Sequence, residues 1–294
     1  MNKELFRMRV APKGMGLNDF VADQEGFFRA EGLDVEFDWK TFKGTQSSWK
    51  GLDYLERPQD QPYAEGDADV IQGACAWGTI CNAGAGMGRF VRECYGVSPW
   101  AIYVRPDSKI KRPEDLKDVP IGVGMRAGSH FNVPWRLEPY MALEHIKTVN
   151  IGGFGARLTA LLSGEIEAAS LLPPQIDMAK QLGLREIMAN EFHTIWWVPE
   201  NASKEGVDGY LRALARAEDV LKSDLPKYLP LWRKTIPEDL VGLHDWDFSR
   251  FSRGERFVYE EIPQSEFDEV MEQVKRWGLD DYLKERTFEN LIYK

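Results

Sequence analysis

Gly26-Phe27-Phe28-Arg29-Ala30-Glu31-Gly32-Leu33-Asp34-Val35 carries the end of a helix, a glycine stop and the start of a strand in quick succession. A glycine adopts the left-handed conformation that finishes a helix without a steric penalty, which gives Gly32 its role. Upstream, Phe20, Val21, Phe27 and Phe28 fit one helix running from Asn18 to about Gly32. Downstream, Leu33, Val35 and Phe37 alternate with Asp34, Glu36 and Asp38, the period of a strand. Before the helix, Arg7-Met8-Arg9-Val10 alternates in the same way and runs into the turn-rich loop Ala11-Pro12-Lys13-Gly14-Met15-Gly16. Strand, loop, helix and strand make a βαβ unit, and its handedness implies a parallel sheet.

The pattern recurs along the chain. Thr41 to Gly66 is polar and reads as irregular, and Asp67 to Gln72 reads as a buried strand. Further strands are expected at Trp100 to Val104, Val119 to Gly124, Val149 to Ile151, Ala168 to Leu172, Leu184 to Met188 and Thr194 to Val198. Pro113-Glu114-Asp115-Leu116 opens a helix, a second helix carries Tyr140, Leu143 and Ile146 on one face, and a third covers Leu158 to Gly164. Gly84 to Gly88 reads as a flexible or closely packed helix segment, and from Lys204 onward the chain reads as almost wholly helical. Strands alternating with helices, followed by helices alone, define an α/β architecture with a helical C-terminal region.

Composition narrows the function classes. The 294 residues suffice for one large or two modest domains, and 43% hydrophobic with 29% charged residues fits an ordinary globular protein. Lys and Arg total 37 against 47 Asp and Glu, a formal charge of -10. That balance argues against general nucleic-acid binding, which draws on a cationic surface. It leaves room for an anionic small molecule, since one local arginine can dominate a site. There is no apolar run of the roughly 20 residues a membrane span needs. The first ten residues lack the apolar core of a secretory signal, so the chain reads as cytoplasmic as it stands, or periplasmic if a leader was removed. Cys75, Cys81 and Cys94 are an odd set without CxxC spacing, which suits neither a disulfide framework nor a zinc ribbon.

Four segments in order resemble the type II periplasmic-binding-protein superfamily, in the branch holding sulfonate- and taurine-binding and thiamine-pyrimidine-synthesis proteins. They are Gly26 to Val35; Val104 to Ser108 with Pro113 to Leu116; Ile121 to Gly124; and Leu161 to Ala169. The resemblance implies two lobes joined by a two-strand hinge, with the ligand between them. Lobe 1 takes residues 1–101 and 197–294, and lobe 2 takes residues 102–196. It implies a small anionic or aromatic organic ligand and a transporter as possible partner; no cofactor is expected. The alternative it admits is a cytosolic decarboxylase- or desulfinase-like lyase or a hydrolase on the same scaffold, acting on a small carboxylate or sulfur-containing acid.

Ligands of open α/β sheets sit beyond the carboxyl ends of the strands, so the loops that follow strands hold the candidates. Lys13 and Gly14 follow the first strand, where backbone amides and a helix start favour an anion. The alternative there is a plain turn with a solvated lysine. Gly73-Ala74-Cys75-Ala76-Trp77 follows another strand. Trp77 is placed to stack on a planar ligand, and Cys75 is either a nucleophile or a small buried apolar residue. Arg126, Ser129 and His130 follow the Gly122-Val123-Gly124 strand. Arg126 would hold an acid group and His130 move a proton, or Ser129 simply caps a helix beside two solvated side chains. Leu172-Pro173-Pro174-Gln175 is a further cleft loop or a proline-fixed turn, and Trp39 completes the candidates if its strand end faces the cleft. His145, His193 and His244 lack metal-ligand spacing, and Gly84 to Gly88 lacks the Lys-Ser/Thr of a phosphate loop. Desulfinase relatives carry their cysteine in the first loop, where this chain has Lys13-Gly14-Met15-Gly16. The cysteine-rich motif of the pyrimidine-synthesis relatives, and with it their pyridoxal-phosphate role, is absent.

Overall fold

The computed structural model describes residues 5–46, 60–65 and 70–294. Strand β1 (Phe6–Ala11) runs parallel to β2 (Leu33–Phe37), with Phe6 opposite Leu33 and Val10 opposite Phe37. The helix joining them is two pieces rather than one. α1 (Asn18–Gln24) and α2 (Phe27–Ala30) are separated at Gly26, whose φ of 72° no helix interior tolerates. Beyond β2, α3 (Trp39–Gln46) is helical where an irregular stretch was expected. Asp38 stabilises its first turn by accepting from the Thr41 amide at 2.9 Å and the Thr41 hydroxyl at 2.8 Å. Residues 47–59 and 66–69 of the stretches read as irregular chain and as strand lie outside the described residues. α4 (Gln61–Ala64) is a single turn.

β3 (Val70–Cys75) pairs parallel with β1 and leads into α5 (Ala76–Gly84), every residue of which is buried. The expected helical Gly84 to Gly88 is therefore only a helix end followed by turn. β4 (Arg89–Phe90) is short, whereas β5 (Tyr95–Val104) starts five residues before the expected Trp100. β6 (Pro120–Val123) leads to α6 (Gly128–Leu137), and β7 (Lys147–Asn150) to α7 (Phe154–Ser163), which Gly164 ends at φ 79°. The helix expected over Tyr140, Leu143 and Ile146 is absent. α6 stops at Leu137, and Leu143 lies in a lone 3-10 turn. β8 (Ala168–Leu171) precedes α8 (Gln175–Gln181), and β9 (Arg185–Val198) is one long strand where two were expected.

The C-terminal region holds α9 (Lys204–Ser223), α10 (Leu225–Tyr228), α11 (Glu238–Val241), β10 (Arg256–Val258), α12 (Gln264–Arg276) and α13 (Phe288–Leu291). It is less helical than its sequence suggests, because long irregular stretches connect these elements. α9 buries Val207, Tyr210, Leu211, Leu214, Ala217 and Leu221, a stripe at three- and four-residue spacing. Each valine or leucine of the stripe stabilises the fold by about 1.5–3 kcal/mol when fully buried.

Strands follow the order β2-β1-β3-β9-β5-β8-β6-β7, with β10 on β5 and β4 on β9. β5 and β9 pair antiparallel from Gly96 opposite Thr194 to Val104 opposite Arg185. One end of β9 continues onto β3, and the far end of β5 continues onto β8. Two long strands thus connect a β1–β2–β3 group to a β6–β7–β8 group. The carboxyl ends of β1, β3, β6 and β7 all open toward one cavity.

Candidate anion site

The cavity measures about 80 Å³. Three helices begin at its wall, each directly after a strand: α5 at Cys75, α6 at Ala127 and α7 at Gly153. Neither Ala127 nor Gly153 supplies a side-chain cap. Helix N-termini present amide donors and the positive end of the helix dipole, so three of them around one cavity favour an anion.

Arg157, on the first turns of α7, is the charge at the centre of this arrangement. It lines the cavity with only 2% of its surface exposed. One guanidinium nitrogen donates to the Ser129 hydroxyl, while Nε has no hydrogen-bond partner among the described residues. No carboxylate of the described residues pairs with it, and burial alone pulls its pKa down to about 9. A buried cation without a counter-charge is costly, and a bound anion would offset that cost. Phe154 stands beside it, the guanidinium carbon 5.3 Å from the ring centre.

The expected site residues divide into those on the cavity and those away from it. Lys13 is on it, but its ammonium is already engaged with Glu255 at 2.7 Å, Thr194 at 2.6 Å and the Trp196 ring at 3.6 Å. Burial lowers the Lys13 pKa, and the Glu255 carboxylate opposes that shift. Arg126 also lines the cavity, with its backbone at φ 55°. Its guanidinium reaches Asp281 at 3.2 Å and lies 4.4 Å from the Tyr282 ring centre, which ties the loop after β6 to the C-terminal region. Cys75 lines the cavity at 4% exposure and caps α5, its Sγ accepting from the Gly78 amide at 3.2 Å. Leu172, of the proline loop, is a wall residue too.

Ser129, fully buried, does not line the cavity. It accepts from the Gly124 amide at 2.9 Å and holds Arg157 in place. His130 is likewise outside the lining, and its Nδ1 accepts from the Arg126 amide at 3.1 Å. That leaves Nε2 to carry the proton of the neutral ring. Gly14 is not a wall residue. Trp39 stacks on Phe20 at 6.0 Å in a cluster with Phe37 and Phe42, away from the cavity. Trp77 packs against Phe131, Trp135 and Phe192 and donates to Gln273 at 2.6 Å. It borders a separate cavity of about 390 Å³.

Sequence reading missed Arg157 and the Gly152-Gly153 loop, along with Asp60, Gln72 and Asn82, which also line the cavity. Asn82 donates to Asp60 at 2.9 Å. The signal for Arg157 was present: Phe154, Leu158 and Leu161 make an apolar helix face, and position 157 falls on it. Among the described residues no three His, Cys, Asp or Glu side chains gather as a metal site, and no helix is long and apolar enough to cross a membrane.

An α/β sheet with a cavity at its strand ends is a feature of the type II periplasmic-binding-protein fold, and comparison with solved structures shows that this chain has that fold. The alkanesulfonate-binding protein of Xanthomonas axonopodis pv. citri, solved bound to MOPS, superposes with a TM-score of 0.69 at 13% identity, covering 97% of both chains. A Candida albicans protein exhibiting the generic periplasmic binding protein structural fold gives 0.67 at 11% identity, covering 99% of this chain and 96% of its own. The desulfurization enzyme DSZB gives 0.58 at 15% identity, covering 98% of this chain and 96% of its own. No protein-family model matches the sequence. No curated protein matches it either.

Proposed function

We propose that the protein binds a small organic anion, a sulfonate or carboxylate, in the cavity at Arg157, in the manner of a solute-binding protein. The observation that carries this is a nearly fully buried guanidinium facing a cavity, with no carboxylate of the described residues paired to it, at the convergence of three helix N-termini. Asp60, Gln72 and Asn82 offer polar partners for the rest of the ligand. The likeness to an alkanesulfonate-binding protein supports the same chemistry. In this reading residues 1–101 with 197–294 form one lobe and 102–196 the other, with β5 and β9 as the hinge. Delivery to a membrane transporter, in the periplasm, completes it.

Thermal denaturation against methanesulfonate, taurine, acetate and benzoate tests the proposal. At least one anion should raise Tm, by an amount equivalent to about 2.7 kcal/mol when present at 100 times its Kd, and be recovered unchanged. A flat response to every anion contradicts it. Conversion of the ligand would favour the second reading, an enzyme acting on a small organic acid. Cys75 on the cavity wall and the likeness to a desulfurization enzyme are the observations on that side.

A further inference from the structure

Cys75 differs from the other two cysteines in where it sits. Cys81 and Cys94 are fully buried, and burial pushes Cys81 up to about 12 and Cys94 higher still. Cys75 instead borders the cavity that holds Arg157 and Arg126. It ends β3 and begins α5, with the Gly78 amide pointing at its sulfur. The start of α6 lies against it as well: a methyl group placed on Gly128 would stand 3.1 Å from the Cys75 Cβ. The thiol therefore lies between two helix N-termini, each belonging to a helix of at least nine residues, in an anion-favouring cavity. Those electrostatics suit a thiolate as well as they suit a bound acid.

We infer that Cys75 is a nucleophilic thiol served by the anion site, so that small organic anions bearing an electrophilic carbon are bound at Arg157 and captured by Sγ. The inference rests on the anion-binding reading and adds a covalent modification site to it. In the capture step a sulfur–carbon bond forms and the carbon–leaving-group bond breaks. The leaving group departs with its electron pair, and the thiol proton passes to water. No oxidant or cofactor enters. A modified Cys75 fills the cavity, so capture and ordinary ligand binding exclude each other.

The test compares iodoacetate with iodoacetamide on the native protein, reading each cysteine by peptide mass spectrometry, with Cys81 and Cys94 as internal controls. Glutathione supplies the intrinsic reactivity ratio of the two reagents. Cys75 should be labelled first, with an iodoacetate preference about tenfold or more above that of glutathione, the size of effect a charged cleft produces. Methanesulfonate should slow the labelling, and Arg157→Met should return the ratio to that of glutathione. The methanesulfonate arm uses the wild-type protein and stands even if that variant does not fold. A native Cys75 that stays unlabelled, or reacts with the glutathione ratio, overturns the inference. If methanesulfonate raises Tm while Cys75 stays inert, the anion site survives and only the thiol assignment falls. If Tm stays flat and the ratio matches glutathione, both fall.

Discussion

Arg157 sets a stability cost against a binding gain. Its guanidinium is buried with one serine hydroxyl as its hydrogen-bond partner, and burial pulls its pKa to about 9 from 12.5. A folded value below the unfolded one means the unfolded state holds the proton more tightly. The cost of burying the cation is therefore present at neutral pH and falls away as pH rises past about 9. Arg157→Met should accordingly raise the Tm of the ligand-free protein, by an amount equivalent to about 1–3 kcal/mol, while abolishing anion binding. The stability gap between variant and wild type should narrow above pH 9. Denaturation curves at pH 7 and pH 10 check both points, and a less stable variant at pH 7 would contradict them. The residue was legible in principle, as a charge on an apolar helix face. Its place at the cavity is hidden because the loop that brings α7 there, Gly152-Gly153, carries no charged or reactive side chain of its own. Lys13 shows the opposite error. A lysine after a strand at a glycine-rich turn looks available for a ligand, but its partner Glu255 lies 242 positions away, and no local pattern reports such a pair.

At the level of elements, the Lys13–Glu255 pair ties the loop after β1 to β9 and to the segment entering β10, with Thr194 between them. Both side chains are over 90% buried, so solvent screens the pair little. Lys13→Met should cost about 3–5 kcal/mol, because it leaves a buried carboxylate uncompensated. A second change, Glu255→Gln, should recover part of that loss, as a double-mutant cycle in urea would show. Strictly additive losses would contradict the coupling. Most elements were legible from their periods. β1, β2, β6, β8 and α7 fall close to where alternation or glycine stops placed them. β9 was read as two strands because Ala189, Asn190 and Glu191 are exposed in its middle, where polar residues interrupt the apolar run. The break at Gly26 escaped because Phe27 and Phe28 keep the apolar spacing on either side of it.

For the molecule as a whole, the sheet order explains why residues so distant in sequence meet. Lys13, Arg126 and Arg157 follow β1, β6 and β7, Cys75 ends β3, and the two long strands β5 and β9 bring those strand ends to one cavity. The order of motifs made this architecture legible. Which side chains face the cavity depended on helix starts and long-range pairing, which a single sequence does not display. The most direct measurement is titration calorimetry of methanesulfonate against dimethyl sulfone, a neutral molecule of nearly the same shape, on wild-type protein and Arg157→Met. Methanesulfonate should bind the wild type with an affinity that weakens as salt is added, while the sulfone and the variant give no heat. Equal binding of both molecules, or undiminished methanesulfonate binding by Arg157→Met, would contradict the assignment of this cavity to an anion.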